Sequence, residues 1–178
     1  MEHSACISLR AIEPSDIDRL YLWENDPEML GCGISSAPYS RHQLWEYVNN
    51  YDADPLHCGQ LRLMITADGE AVGSIDLYDI DTRNSRASVG IMISAAHRQK
   101  GFAAKALSLI IAYVRDTLHL HQLTATVSAD NNPSIRLFTR AGFSHTATLR
   151  QWIQKKTGIF VDACIFQLTL KDITPTAQ

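Results

Sequence analysis

Three features of this sequence predict an α+β domain, a mixed sheet flanked by helices. They are strand-like alternation from Leu61 onward, a strand, helix, strand order over Val89 to Val127, and two N-terminal stretches whose apolar residues recur at helical spacing. Taken in order, Ile7, Leu9 and Ala11 alternate with polar residues as a first strand. Pro14-Ser15-Asp16 then opens a helix carrying Ile17, Leu20, Tyr21 and Trp23, stopped by Asn25-Asp26-Pro27. Pro38-Tyr39-Ser40 precedes a second helix, marked by Leu44, Tyr47, Val48 and Tyr51.

Leu61, Leu63 and Ile65 alternate again, Asp68-Gly69 is a turn signal, and Ala71 to Tyr78 is the returning strand of a hairpin. Asp81 to Ser85 is a polar turn and Ala87 to Ile93 the next strand. Gly101 to Thr117 puts Phe102, Ala106, Ile110 and Tyr113 on one helical stripe, and the strand Gln122 to Val127 follows, so a right-handed crossover with its helix packed on the sheet is expected. Asn131-Asn132-Pro133-Ser134 starts another helix, with Pro133 in its first turn and Ile135, Phe138 and Ala141 turned inward. Gly142 ends it as a left-handed cap. Strands close the pattern at Phe143 to Leu149, Gln151 to Gln154 and Phe160 to Leu168, the last two joined by a turn at Lys155 to Gly158. No repeat or low-complexity linker divides the chain, so residues 1–170 read as one domain and 171–178 as a polar tail.

Composition bounds the function. The 178 residues hold 16 Lys+Arg against 19 Asp+Glu, a net charge of −3, with a pI near 6.1. That balance argues against broad contact with nucleic acid phosphates while allowing a local basic site. The longest apolar run, Ala106 to Val114, is interrupted by Ser108 and bounded by Lys105 and Arg115. It falls short of the roughly 20 residues of a membrane span. The N-terminal MEHSACISLR lacks the basic start, apolar stretch and cleavage site of a secretory signal, and a cytoplasmic location is expected. Cys6, Cys32, Cys58 and Cys164 are scattered and read as reduced thiols in or near the core. His119 and His121 have the spacing of neighbours on one face of a strand, but with no third ligand nearby no metal site is expected.

The most informative segment is His97-Arg98-Gln99-Lys100-Gly101-Phe102-Ala103-Ala104-Lys105, between a strand end and a helix start. A helix start presents free N–H groups and the positive end of the dipole, and a glycine there lets backbone approach a bulky anion. Arg98, Lys100 and Lys105 add charge, which points to a diphosphate. The spacing fits neither a Walker A loop nor a dinucleotide-binding glycine motif. No G-x-S-x-G elbow suggests a hydrolase.

Arg98-Gln99-Lys100-Gly101-Phe102-Ala103 matches the pattern Gln/Arg-x-x-Gly-x-Gly/Ala, placed after a strand and at a helix start. Downstream, Asn131-Asn132-Pro133-Ser134 and Phe138-Thr139-Arg140-Ala141-Gly142-Phe143 match Asn-x-x-Ala/Ser followed by Tyr/Phe-x-x-x-Gly-Phe. With these motifs the sequence resembles the GNAT superfamily of acyl-CoA N-acyltransferases, strongly over residues 71–145 and in element order elsewhere. It is most similar to the branch of ribosomal-protein N-terminal acetyltransferases and spermidine or diamine N-acetyltransferases. The resemblance implies a GNAT-like, largely antiparallel sheet with a splayed cleft between two parallel strands, acetyl-CoA as cosubstrate, no metal, and direct transfer of acetyl to a primary amine of a polyamine-like small molecule or a protein N-terminus. A homodimer is the family-based expectation.

It also implies a division of labour. Backbone of Ile91, Met92 and Ile93 would hold the thioester and its oxyanion, and Arg98, Gln99, Lys100, Gly101, Phe102, Ala103 and Ala104 the diphosphate. Asn131, Ser134 and Phe138 would flank the pantetheine arm; read from sequence alone, Asn131 is equally a helix cap. An amine with a pKa of about 10.4 is neutral in only roughly one molecule in 2,000 at pH 7, so a base is required. Asp76 and Asp79 on the hairpin strand are the candidates, set against the reading that both face solvent or pair with Arg83 or Arg86. Two departures stand out: relatives often carry Glu near Ser88 and a Tyr acid where Phe138 stands. A thiol with a pKa near 8.5 can leave without such an acid, with Ser134 as a substitute donor. Trp23, Glu24, Tyr39, Trp45, Glu46 and Trp152 are candidates for the amine pocket, against the alternative of ordinary packing. The competing reading is a catalytically idle CoA-binding sensor or scaffold, supported by the missing Tyr and Glu.

Overall fold

The computed structural model of the protein describes residues 5–26, 37–51, 54–155 and 158–170. Cys32 and the predicted tail 171–178 lie outside them, as does Pro27 of the first predicted helix stop. Along the chain run β1 (Ile7–Arg10), a 3-10 turn (Pro14–Asp16), α1 (Ile17–Glu24), α2 (Arg41–Asn49), α3 (Pro55–Cys58), β2 (Leu61–Ala67), β3 (Glu70–Asp81) and β4 (Arg86–Ile93). A 3-10 turn (Ala95–His97), α4 (Phe102–Asp116), β5 (Gln122–Ser128), α5 (Asn132–Arg140), β6 (Ser144–Gln154) and β7 (Phe160–Thr169) complete it.

Local chemistry sets the helix ends. Ser40 Oγ accepts from Gln43 N while Gln43 Oε1 accepts from Ser40 N, a capping box that starts α2. Asn131 Oδ1 accepts from Ser134 N at 3.2 Å and caps α5. Pro14 and Asp16 begin the first helical segment as a 3-10 turn, with the α-helix starting only at Ile17.

The seven strands form one sheet in the order β1-β2-β3-β4-β5-β7-β6. Every neighbouring pair is antiparallel except β4 and β5. Those two pair only at Arg86↔Gln122, Ala87↔Leu123 and Ser88↔Thr124, after which β4 continues to Ile93 and β5 to Ser128 without pairing to each other. A wedge-shaped gap therefore opens in the middle of the sheet, as the splayed cleft expected from the family resemblance.

Helix α4 buries Ala106, Leu107, Ile110 and Val114 against Ile65, Val72, Ile75, Leu77, Val89, Leu123 and Ala125. Phe138 of α5 joins this core beside Phe143 and Phe166, with ring centroids 5.1 and 6.4 Å away. On the opposite face α1 and α2 enclose a smaller core of Ile12, Leu20, Leu44, Met64 and Ala71.

Four expectations need correction. The predicted strands Phe143 to Leu149 and Gln151 to Gln154 are one strand, β6, kept continuous by a bulge between Leu149 and Ile153 with Gln151 at φ +49° and its N–H donating to Asp162 Oδ1. His119 and His121 precede β5 rather than lie on a strand, because the chain turns at His119 with φ +53°. Cys6 is exposed, whereas Cys58 and Cys164 are half-buried, and all three are free thiols. The short α3, capped by Asp54 Oδ1 on Leu56 N, was not foreseen. No described helix is long and apolar enough to cross a membrane.

Candidate active site

The gap is bounded on one side by the end of β4. Ser94 N donates to Val72 O at 2.9 Å, toward β3. Because successive peptide groups of a strand alternate in direction, the N–H and C=O groups of Ile93 and Ile91 point the other way, into the gap. The position of Arg98 agrees, since its Nε donates to Ile93 O at 3.2 Å from the gap side. Gly73 lets this end of β4 lie close to β3: a Cβ there would stand 2.1 Å from Met92 O.

The loop after β4 then turns through Gln99 at φ +64° and Gly101 at φ +79° into α4. The N–H groups from Gln99 through Ala104 find no acceptor among the described residues, and the next, Lys105 N, bonds Gly101 O at 3.3 Å. A Cβ on Gly101 would meet nothing within 4 Å, so the space above the loop is open. These consecutive free donors at the positive end of a fifteen-residue helix fit a diphosphate. Lys100 is exposed beside them, while Lys105 Nζ donates to Ala5 O at 3.2 Å and fastens the loop to the start of the chain.

On the α1 and α2 face lies a cavity of about 170 Å³ lined by Tyr47, Gln60, Leu61, Arg62, Asp76, Leu77, Tyr78 and Gly90. Arg62, Asp76 and Gly90 stand in one row across β2, β3 and β4. The cavity thus ends one residue before Ile91, where the strand edge turns into the gap. Arg62 Nε donates to Asp76 Oδ1 at 2.5 Å, and Nη1 to Glu24 Oε1 at 2.7 Å. Burial alone would lower the Arg62 pKa, but the Asp76 and Glu24 charges outweigh it and the net shift is upward, so the guanidinium stays charged. Tyr51 Oη accepts from Arg62 N and pins the same residue by its backbone. Burial pushes the Tyr47 phenol above its ordinary pKa, and it remains neutral at physiological pH.

The profile of the acetyltransferase (GNAT) domain matches residues 7–144 of this chain. The chain belongs to that family. The enzyme is an N-acetyltransferase, and acetyl-CoA is the cosubstrate the family uses. It is 26% identical to the spermidine N(1)-acetyltransferase of Escherichia coli K12 over 169 residues, covering 94% of this chain and 89% of that one. It is 25% identical to the L-amino acid N-acetyltransferase AaaT of the same organism over 159 residues, 88% of this chain and 94% of that one. Among solved structures, the spermidine N-acetyltransferase of Vibrio cholerae in complex with CoA and spermine superimposes with a TM-score of 0.81 at 21% identity, covering 92% and 95% of the two chains.

In this acetyltransferase the predicted residues fall into three places. Ile91 and Ile93 edge the gap, and Arg98 to Ala104 form the loop beside it. The expectation for Met92 needs correction: by the alternation of the strand its backbone groups face Ser74 of β3 and not the gap. Asp76 and Glu24 meet through Arg62 at the cavity. The remainder are dispersed. Asp79 is exposed at the bulge between Tyr78 and Asp81, with φ +52°. Asn131 and Ser134 are joined in the cap of α5, and Phe138 lies in the core with 3% exposure. Trp23 and Tyr39 pack on the smaller core, and Asn25 holds Tyr39 through both backbone groups, accepting at 2.8 Å and donating at 2.9 Å. Trp45 and Trp152 are exposed, and Glu46 pairs with His42 on the surface of α2 at 3.4 Å. Ser88, where relatives often carry Glu, is tied to Thr124 across the seam of β4 and β5, with the two hydroxyls 3.1 Å apart.

Sequence reasoning missed Arg62, Tyr47 and Tyr78. The signal was present for Arg62: it is the one charged residue in the run Leu61 to Ala67, alternating with apolar neighbours. No group of three His, Cys, Asp or Glu side chains able to hold a metal ion occurs among the described residues.

Proposed function

We propose that the enzyme transfers acetyl from acetyl-CoA to a primary amine of a small cationic molecule or a protein N-terminus in a single displacement, with no acyl-enzyme. The observation that carries this reading is the junction at Gly90 and Ile91, where the carboxylate-lined cavity meets the strand edge that faces the gap. The diphosphate sits on the N–H groups of Gln99 to Ala104, and the pantetheine arm runs along the gap toward Ile91. An N–H of Ile91 or Ile93 then donates to the thioester oxygen as negative charge develops there.

The amine enters from the cavity side. Its ammonium loses a proton to water held by Asp76, the carboxylate at the cavity wall, and the nitrogen attacks the carbonyl carbon. The C–N bond forms, the nitrogen gives up its second proton to water, the C–S bond breaks as the oxyanion collapses, and CoA leaves as a thiolate that takes up a proton from water, directly or through Ser134. One proton is released for each amide made. Asp79, at an exposed bulge, has a weaker claim to the role of base.

Two relatives that match over most of their length act by name on spermidine and on L-amino acids at nearly equal identity, so similarity alone does not choose the acceptor. The test is a thermal-shift titration with acetyl-CoA and with CoA. At a ligand concentration 100 times Kd the expected stabilisation is about 2.7 kcal/mol. Gly101→Glu, which places an anion in the diphosphate site, should abolish it. Gly101→Ala, strained by about 1–2 kcal/mol at positive φ, should melt earlier yet keep most of the ligand shift. An equal ligand shift in Gly101→Glu would refute the diphosphate site, and an unchanged pH profile of kcat/KM in Asp76→Asn would remove Asp76 as base.

A further inference from the structure

The acetyl transfer needs a carboxylate near the amine, but nothing in it requires a guanidinium there. Arg62 nevertheless occupies the cavity wall, held by Asp76 of β3 through Nε at 2.5 Å and Nη2 at 3.4 Å, and by Glu24 of α1 through Nη1 at 2.7 Å. The other titratable groups lining this cavity are the phenols of Tyr47 from α2 and Tyr78 from β3, both neutral at physiological pH because burial raises them. Asp76 and Arg62 line the cavity and Glu24 stands behind Arg62, so the cluster of two carboxylates and one guanidinium carries a single net negative charge beside the acceptor.

A primary ammonium balances that charge by itself. A diamine or triamine brings one or two further cations into a site where Arg62 has already taken up one carboxylate's worth of field. We infer that Arg62 is a specificity-determining residue, which makes the site favour acceptors whose only cationic centre is the reacting amine over di- and polyamines. Side chains one-quarter exposed, as Arg62, Glu24 and Asp76 are, keep enough of their field for one unit charge to change relative substrate preference by about tenfold. Release of Arg62 on substrate binding is disfavoured, because it would leave a half-buried charge unpaired. The inference rests on the cavity being the acceptor side of the site, as proposed above.

The experiment compares kcat/KM for butylamine, putrescine and spermidine in the wild type, Arg62→Gln and Glu24→Gln, at low and high salt, with folding checked by circular dichroism. In Arg62→Gln the spermidine to butylamine ratio should rise about tenfold, in Glu24→Gln it should fall, and both changes should shrink at high salt. Ratios unchanged in both variants, or moving in the same direction, overturn the inference while leaving the acetyl transfer intact. If Arg62→Gln does not fold, Glu24→Gln decides by itself: a fall in the ratio supports the inference and no fall overturns it. A wild-type protein that binds acetyl-CoA but acetylates none of the three amines overturns this inference and the small-molecule half of the acceptor reading, leaving the protein N-terminus.

Discussion

The two faces of the sheet are built on different physics. Under α4 and α5 the inward side chains are apolar and almost fully buried, Leu107, Ile110, Val114 and Leu123 among them at 1% exposure or less. Under α1 and α2 a much smaller apolar core shares its space with two ion-pair systems, Arg10 with Asp16 and Arg62 with Glu24 and Asp76. The first face draws stability from area and is insensitive to pH. On the second, stability depends on pairing, and Arg62 and Asp76 of these pairs line the cavity proposed for the acceptor. Both sides of the sheet thus hold the fold, one by area and one by pairing, and the proposed selectivity falls on the charged side alone.

The difference can be broken first where burial is most complete. Leu107→Ala, removing a side chain with 0% exposure, should cost about 2–5 kcal/mol, with a drop in Tm of roughly 5–15 °C in calorimetry and little change in the pH dependence of unfolding. Gly73→Ala should cost about 1–3 kcal/mol by crowding Met92 O, and under the proposed function it should also lower kcat, because the displaced backbone adjoins Ile91 and Ile93, the groups proposed to hold the thioester.

Asp16→Asn sharpens the contrast by pH. Burial by itself would raise the Asp16 pKa, but hydrogen bonds from Arg10 and from Glu13 N, with the Arg10 charge, hold it below its ordinary 3.8. A carboxylate lowered in the folded state contributes stability above about pH 3.8 and loses it as pH falls through its native value. The substitution should therefore cost about 1–3 kcal/mol at pH 7, less than for a fully buried pair because the Arg10 side chain is 35% exposed, and the variant should lose less stability than the wild type in acid. Smallest of all, Trp152→Ala on the exposed edge strand should change stability by less than about 0.5 kcal/mol in denaturant titration.

Much of the dry face could be read directly from the chain because each feature there is decided within a few residues. The α4 stripe, the Asn131 cap and the left-handed Gly142 depend on neighbours in sequence, as does the loop from Arg98 to Ala104. The charged face depends on register. Counting back from the Asp68-Gly69 turn pairs Asp76 with Leu61, but a bulge between Ile65 and Thr66 moves the partner to Arg62 and so builds the central ion pair of the cavity. The two extra residues between Leu149 and Ile153 likewise merge two predicted strands into one. Bulges answer to packing and twist across strands, and short windows of sequence carry no such information. The departure at Phe138 was visible as a missing hydroxyl, whereas its place at the centre of an aromatic cluster required the fold.

The seam between β4 and β5 has a mechanical consequence. Four strands on one side are stitched to three on the other by only three residue pairs, so the sheet resembles two plates joined by a short spine. What keeps the plates from swinging is the apolar core under α4, which runs without a break from Ile65, Val72 and Val89 of one plate to Leu123, Ala125 and Val127 of the other. A ligand lodged in the wedge braces the plates from the open end, far from the spine, where leverage is greatest. Cosubstrate binding should therefore knit the two halves into one cooperative unfolding unit, with slower hydrogen exchange across the seam as its signature.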